Sequence, residues 1–356
     1  MKIGLLGLPN SGKTTIFNAL TQSQADVTTY ASNKAEPNIA TVTVADERIT
    51  TLSDMYKPKK TTYATIDLVD FQGFSEGSAR QGNISAAQMN HIRMMDAIAL
   101  VVRNFSDDLM GSPTPCADVE MIDTELILSD LIVVETRLER IEWNIKRGKK
   151  TTELEREEQL LRQIQTILND NGHIRDLSLH IDEERMISGF QFLTKKPFFI
   201  ILNSGEDNFG HNEEIIGMLQ DTYRIIEFSG NFEMELSRLA DSEEAALFME
   251  DMGITESARD RLTRSAYEML GYISFITVGT DEVRAWTIHD GESAVEAAGT
   301  IHSDLSRGFI RAECFSYDDL VSCGSEKAVR DGGHFRLEGK DYEVRDGDIL
   351  NIRFSV

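Results

Sequence analysis

The run GLPNSGKT from Gly7 to Thr14 constrains this chain more than any other stretch. It fills the pattern G-x-x-x-x-G-K-S/T directly behind the apolar segment Lys2 to Leu6, so strand, glycine-rich turn and helix start arrive in the order a phosphate-binding loop requires. Gly7 and Gly12 let successive backbone N–H groups turn toward phosphate oxygens, the Lys13 ammonium reaches the β and γ phosphates, and the Thr14 hydroxyl is offered to Mg²⁺. Asn10, Ser11 and Thr15 complete the nucleotide-binding stretch. Residues 15–20 form an amphipathic helix whose positive dipole end adds to the anion site. The expected fold is an α/β P-loop NTPase with Mg²⁺ as cofactor.

A length of 356 residues suffices for two or three domains. Sixty acidic against 36 basic residues give a formal charge of −24, so contact with nucleic acid has to come from a local basic patch on a repelling body. Cys116, Cys314 and Cys323 lie far apart with no C-x-x-C, which suggests neither a zinc site nor a disulfide framework. The first apolar stretch is short for a signal peptide and is interrupted by Pro9 and Asn10, and no run has the length to span a bilayer. A cytoplasmic protein without a membrane partner is expected.

Short, mostly continuous apolar runs at 64–69, 97–102, 198–202 and 225–228 fit strands covered on both faces by helices. Between the second and third of these, from about Ile122 to Ile167, there is no proline and apolar residues recur at helical spacing: Leu131, Val134, Leu138, Ile141, Ile145. A break at Lys146–Lys150 separates that helix from a second, Glu153 to Leu168, giving a helical hairpin inserted into the α/β domain. Such a hairpin is either an ordinary packed pair or a projecting partner-binding arm.

The sequence DFQG from Asp70 to Gly73 follows the run 66–69, which places Asp70 at the carboxyl edge of the sheet to orient the Mg²⁺ shell and the Gly73 N–H near the γ-phosphate. GTPases of the Ras type carry next a glutamine that orients the attacking water; here the residue is Phe74. Behind the strand 198–202 the chain has Asn203, Ser204, Gly205 and Glu206 where a guanine reader carries N-K-x-D. The lysine is absent and the acid is one methylene longer, which weakens the case for guanine, while the Asn203 amide suits N7 and the N6 amine of adenine. Ser229 and Gly230, after the last strand, supply a small loop to close over the base.

These residues carry a resemblance that covers nearly the whole chain. It resembles the YchF family of Obg-related P-loop NTPases, also called Obg-like ATPases, through GLPNSGKTTIFNALT from Gly7, EPNIATV from Glu36, KPKK from Lys57, DTELILSDL from Asp123, N-x-x-E at Asn203 and FMEDMG from Phe248. The tail matches best, with EVRAWTI from Glu282, AAGTIHSDLSRGFIRAE from Ala297 and the closing LEGKDYEVRDGDILNIRFSV. The resemblance implies a discontinuous nucleotide domain over 1–121 and 196–271, an arm-like hairpin over 122–195 and a β-grasp-like TGS domain over 272–356. It also implies ATP rather than GTP as ligand, hydrolysis without the usual glutamine, and association with the ribosome or RNA through the TGS domain and the arm. The chain departs from the family at both switches. Lys34 stands where the family has a threonine hydroxyl for Mg²⁺, with Thr28, Thr29 and Thr41 as candidate replacements, and the stretch Gly77–Arg93 has lost several glycines. Hydrolysis is accordingly expected to be slow, and no catalytic residue is assigned. Arg307 and Arg311 around GFI at 308–310 are expected on one strand face as a basic patch, like the loop 146–150, and His302 as a loop residue.

Overall fold

The computed structural model describes residues 1–21, 37–71, 86–107, 110–236, 239, 245, 247, 249–250 and 256–355. Along the chain run β1 (Lys2–Gly7), α1 (Lys13–Thr21), β2 (Asn38–Thr43), α2 (Glu47–Tyr56), β3 (Lys60–Thr62), β4 (Thr65–Asp70), α3 (Ala86–Arg93), β5 (Ala97–Asn104), α4 (Pro115–Lys146) and α5 (Thr152–Asn169). They are followed by β6 (Phe198–Ser204), β7 (Arg224–Phe228), α6 (Gly230–Leu236), α7 (Ala258–Met269), β8 (Tyr272–Thr277), β9 (Glu282–His289), α8 (Ala294–Ile301), β10 (Phe309–Ser316), β11 (Arg336–Glu338) and β12 (Asp348–Phe354). The chain forms two compact units, Met1–Ala40 with Asp67–Ala258 and Thr41–Ile66 with Arg259–Val356. Residues 41–66, placed in the nucleotide domain on sequence grounds, thus group with the C-terminal residues. Among the described residues no helix is long and apolar enough to cross a membrane.

The first sheet has the order β2-β4-β1-β5-β6-β7, with β4-β1-β5-β6-β7 paired in parallel throughout. Its central strands β5 and β6 are buried at every position because helices cover both faces, which is why their sequences are continuous rather than alternating apolar runs. Leu6, Ile98, Leu100, Val102, Ile200 and Leu202 pack with Val119, Ile122 and Leu126 from the first turns of α4. Parallel strands joined by helical crossovers bring all their carboxyl ends to one edge, where ligands bind in such sheets.

Beyond that contact α4 continues and turns back as α5. Val134, Leu138 and Ile141 meet Leu160, Leu161, Ile164 and Leu168 along a shared apolar seam. Arg137 clamps the pair by a two-pronged bond to Glu157, 2.7 Å on each prong. At its base, Asp130 is fully buried and accepts from Arg93 Nη1 at 2.7 Å, from the Leu193 and Thr194 N–H groups at 3.1 and 2.8 Å, and from Thr194 Oγ1 at 2.9 Å. A buried carboxylate so fully partnered fixes α4 to α3 and to the strand entry at 193–194.

In the C-terminal unit the sheet order is β11-β10-β12-β8-β9-β3. The β8–β9 hairpin, the helix α8 and the parallel pairing of β12 with β8 make a β-grasp arrangement, with Phe275, Ile288, Ala297, Ala312 and Leu350 in its core. β3 adds itself to β9 in parallel, Lys60 to Thr62 opposite Glu282 to Arg284. The capped helix α2 joins it by Arg48 to Asp346 at 2.8 Å and Tyr56 Oη to Glu326 at 2.7 Å. The expected Arg307–Arg311 strand face is not formed. Arg307 ends the short helix Ser303–Arg307, ion-paired to Asp304, and Arg311 lies in β10 opposite Arg353. Gly308 breaks the alternation between them, its backbone pressed against that of Ser355. His302 caps the same short helix by accepting from the Asp304 N–H at 3.2 Å.

Candidate nucleotide site

β1 delivers the chain to the sheet's carboxyl edge and α1 carries it away, so residues 8–12 must reverse within a few positions. The reversal uses left-handed backbone at Asn10 (φ 62°) and Gly12 (φ 81°). At Gly12 the need for glycine is double, because a Cβ there would also run into the Asn203 amide. The Ser11 N–H donates to Leu8 O at 3.2 Å and the Ile16 N–H to Gly12 O at 2.9 Å, closing the loop onto the first turn of α1.

Lys13 is buried and its ammonium is hydrogen-bonded to the equally buried Asp70 carboxylate. Asp70 ends β4 on one side of β1 and Lys13 opens the helix that leaves β1, so the parallel register of Leu5 opposite Asp70 sets this pair. Thr14 and Thr15 follow, half-buried. On the other side, Asn203 at the end of β6 donates from Nδ2 to Ser11 O at 3.0 Å and accepts at Oδ1 from the Gly230 N–H at 3.1 Å. One amide therefore braces the phosphate loop against the start of α6. The hydroxyls of Ser11 and Ser229 are buried with no hydrogen-bond partner among the described residues, that of Ser11 lying against Gly7, 2.7 Å from where a Cβ would stand.

Ser204 lies beside Asn203 but is used differently. Its hydroxyl donates to Glu227 Oε1 at 2.6 Å and receives the side-chain amides of Asn104 at 3.1 Å and Asn212 at 3.2 Å. Glu227 also accepts from Asn212 Nδ2 and from the Gly210 N–H, so the loop 205–212 is held from below by a buried polar network. Glu206 stands exposed on that loop. The structure thus brings together Asn10, Ser11, Gly12, Lys13, Thr14, Thr15, Asp70, Asn203, Ser229 and Gly230, with Ser204 as support beneath and Glu206 at the rim. Gly73, Phe74, Lys34, Thr28 and Thr29 lie outside the described residues. Thr41 is in β2.

Three residues were not found from the sequence. Phe105 lies against Gly12 and Gly205, 3.7 and 3.4 Å from where a Cβ would stand on each. Buried Arg103 donates to the carbonyls of Phe105, Gly111 and Ser112 at 3.2, 2.9 and 3.3 Å, and Asn104 braces Ser204. Polar residues ending the apolar strand β5 were the available signal, because that strand end belongs to the binding edge. A cavity of about 200 Å³ adjoins the loop, lined by Leu8, Pro9, Ser11, Arg103, Met110 and Asp118 among others. Burial pushes the Asp118 carboxyl up, partly offset by its hydrogen bond from Thr114.

Residues 2–204 match the family described as "50S ribosome-binding GTPase", and residues 272–355 match the C-terminal family of YchF GTPases, described as a protein of unknown function. The ribosome-binding ATPase YchF of Bacillus subtilis (strain 168) is 36% identical over 99% of this chain and 99% of its own length. The chain belongs to the YchF family. The Haemophilus ducreyi ribosome-binding ATPase YchF is 37% identical over 100% of this chain and 99% of its own. A solved structure of the Schizosaccharomyces pombe YchF GTPase superposes with a TM-score of 0.84 at 30% identity, covering 99% of this chain and 97% of that one. The YchF relationship spans both units, the P-loop sheet with its inserted hairpin and the mixed C-terminal sheet.

Proposed function

We propose that this chain is an ATP-binding, slowly hydrolysing P-loop switch protein that associates with the ribosome. The observation that carries the reading is the buried Lys13–Asp70 pair inside a loop braced by Asn203, a charge arrangement suited to exchange for a polyphosphate and its cation. Relatives that match the full chain are named ribosome-binding ATPases, which supports the ribosome as partner and ATP as ligand. Thr14 and Asp70 would hold Mg²⁺: both offer oxygen, the donor a hard cation takes. When bound, the ion neutralises charge on the phosphates. Among the described residues no group of three or more His, Cys, Asp or Glu side chains gathers to hold a metal. A two-residue Mg²⁺ site agrees with that, since this ion keeps waters and leans on substrate phosphates.

GTP is the rival base, favoured by the Schizosaccharomyces pombe relative's description as a GTPase. Support for ATP comes from Ser204 and Glu206. A buried Ser204 hydroxyl occupies the place of the guanine reader's lysine, and Glu206 replaces its aspartate. Calorimetry with both nucleotides separates them: ATP several-fold tighter is the expected result, and GTP tighter overturns the base assignment. Co-sedimentation with ribosomes tests the partner.

A further inference from the structure

We infer that the tip of the helical hairpin is a contact site for RNA with unpaired bases, with Trp143 and Arg147 as its stacking platform. The inference rests on the ribosome-associating reading above and assigns one element of it a chemistry.

α4 ends at Lys146 and α5 begins at Thr152, leaving a turn built from the chain's own backbone. The Arg147 and Lys149 N–H groups both donate to Asn144 O, at 3.2 and 3.1 Å, and the Gly148 N–H donates to Ile145 O at 2.9 Å with Gly148 in the left-handed region. Thr151 caps α5 by accepting from the Leu154 N–H at 3.2 Å. The tip is therefore a fixed surface. On it Trp143 is 52% exposed, an unusual cost for the largest aromatic side chain. Its ring is not part of the buried apolar cluster of the hairpin. Instead the Arg147 guanidinium, one turn on, lies 3.6 Å from the ring centroid.

Charge points the same way. Residues 146–150 read KRGKK, with four cations and no acid in five positions, on a chain of formal charge −24. Lys146 and Lys150 are paired to Glu142 and Glu155 in open solvent, where such pairs are weak and exchange readily, and Lys149 is exposed. Cations alone would fit any polyanion. A flat indole with a guanidinium on it adds the surface on which splayed bases stack, which single-stranded RNA offers and a duplex hides.

The test uses the full chain, a labelled mixed-sequence single-stranded RNA of roughly ten nucleotides, the duplex of the same sequence and anionic vesicles. W143A is expected to weaken single-strand binding about tenfold or more, the loss of one stacked base, while W143F keeps most of it. K149A/K150A should lower the slope of log K against log salt by about 1.4, at roughly 0.7 per phosphate contact. Of the chain's two tryptophans only Trp143 is at the tip, so RNA should quench emission in the wild type and not in W143F, although W143F still binds. ATP affinity should be the same in all variants. Absence of single-strand binding by the wild type, equal affinity of W143A, or duplex or vesicle binding that W143A abolishes equally each overturns the assignment. Wild-type protein that fails to sediment with ribosomes sinks the ribosome reading instead, whatever the oligonucleotide result.

Discussion

Replacing Asn203 by alanine removes both ends of the amide that joins the phosphate loop to the start of α6. The two bonds, 3.0 Å to Ser11 O and 3.1 Å from the Gly230 N–H, are buried. A hydrogen bond of this kind contributes about 0.5 to 1.5 kcal/mol net, and leaving a buried donor or acceptor unpaired costs about 1 to 3 kcal/mol. Allowing for partial relaxation, the bracing is worth about 2 to 3 kcal/mol. If that energy holds the loop in its phosphate-binding shape, ATP affinity measured by calorimetry falls roughly 30- to 150-fold. Asn203→Asp should do no better than alanine, because it keeps the acceptor for Gly230 but turns an oxygen on the Ser11 carbonyl. Inorganic tripolyphosphate, which has no base, should lose affinity alongside ATP. An N203A protein of unchanged helix content that binds ATP within about threefold of wild type, or that loses ATP but not tripolyphosphate, refutes the bracing argument.

Lys13→Ala should weaken triphosphate binding by about 2 to 4 kcal/mol, since it removes the ammonium that meets the phosphates and strands the buried Asp70 carboxylate; calorimetry reads the loss directly. Asp130→Ala should destabilise the first unit by about 3 to 5 kcal/mol by leaving the Arg93 guanidinium buried and unpaired, and the double change R93M/D130L should recover most of it. Urea unfolding followed by Trp143 emission in a W286F background measures both, and equal loss in single and double variants contradicts the charge explanation. Intrinsic ATP hydrolysis should run below roughly one turnover per second, since Phe74 cannot orient water and Lys34 cannot ligate Mg²⁺. Rapid single-turnover cleavage would reveal a catalytic group supplied by other residues, whereas undetectable cleavage with tight binding would make the chain a nucleotide-gated scaffold.

What was legible in the sequence was whatever depends on neighbours along the chain. The phosphate loop is a matter of local spacing, and β5 and β6 announce themselves because burial on both faces makes every residue apolar. The hairpin seam from Val134 to Ile141 follows from helical periodicity, with the turn at 146–150 marked by its charges and Gly148. β2 and β3 were missed because they are sheet-edge strands with mostly exposed residues, so burial writes little pattern into them. Asn203 was singled out for adenine, but its amide is committed to Ser11 and Gly230, partners 192 and 27 positions away. Arg103, Asn104 and Phe105 acquire their roles only when β5 is set beside β6, a neighbour relation that spacing does not encode.

Thr41–Ile66 gives the chain an unusual itinerary. The backbone passes between the two units at residues 40/41, 66/67 and 258/259, and the first visit to the C-terminal unit, residues 41–66, leaves β3 on the rim of its sheet with Ile49 and Leu52 of α2 buried in the same unit. A recombination breakpoint at Tyr272, where the C-terminal family match begins, would export a sheet whose β9 rim is bare and whose Asp346 and Glu326 have lost Arg48 and Tyr56. Bare strand rims invite pairing with other chains. The tail is consequently a poor cassette for transfer between genes. Any transplanted copy would have to bring along a 26-residue detour, residues 41–66.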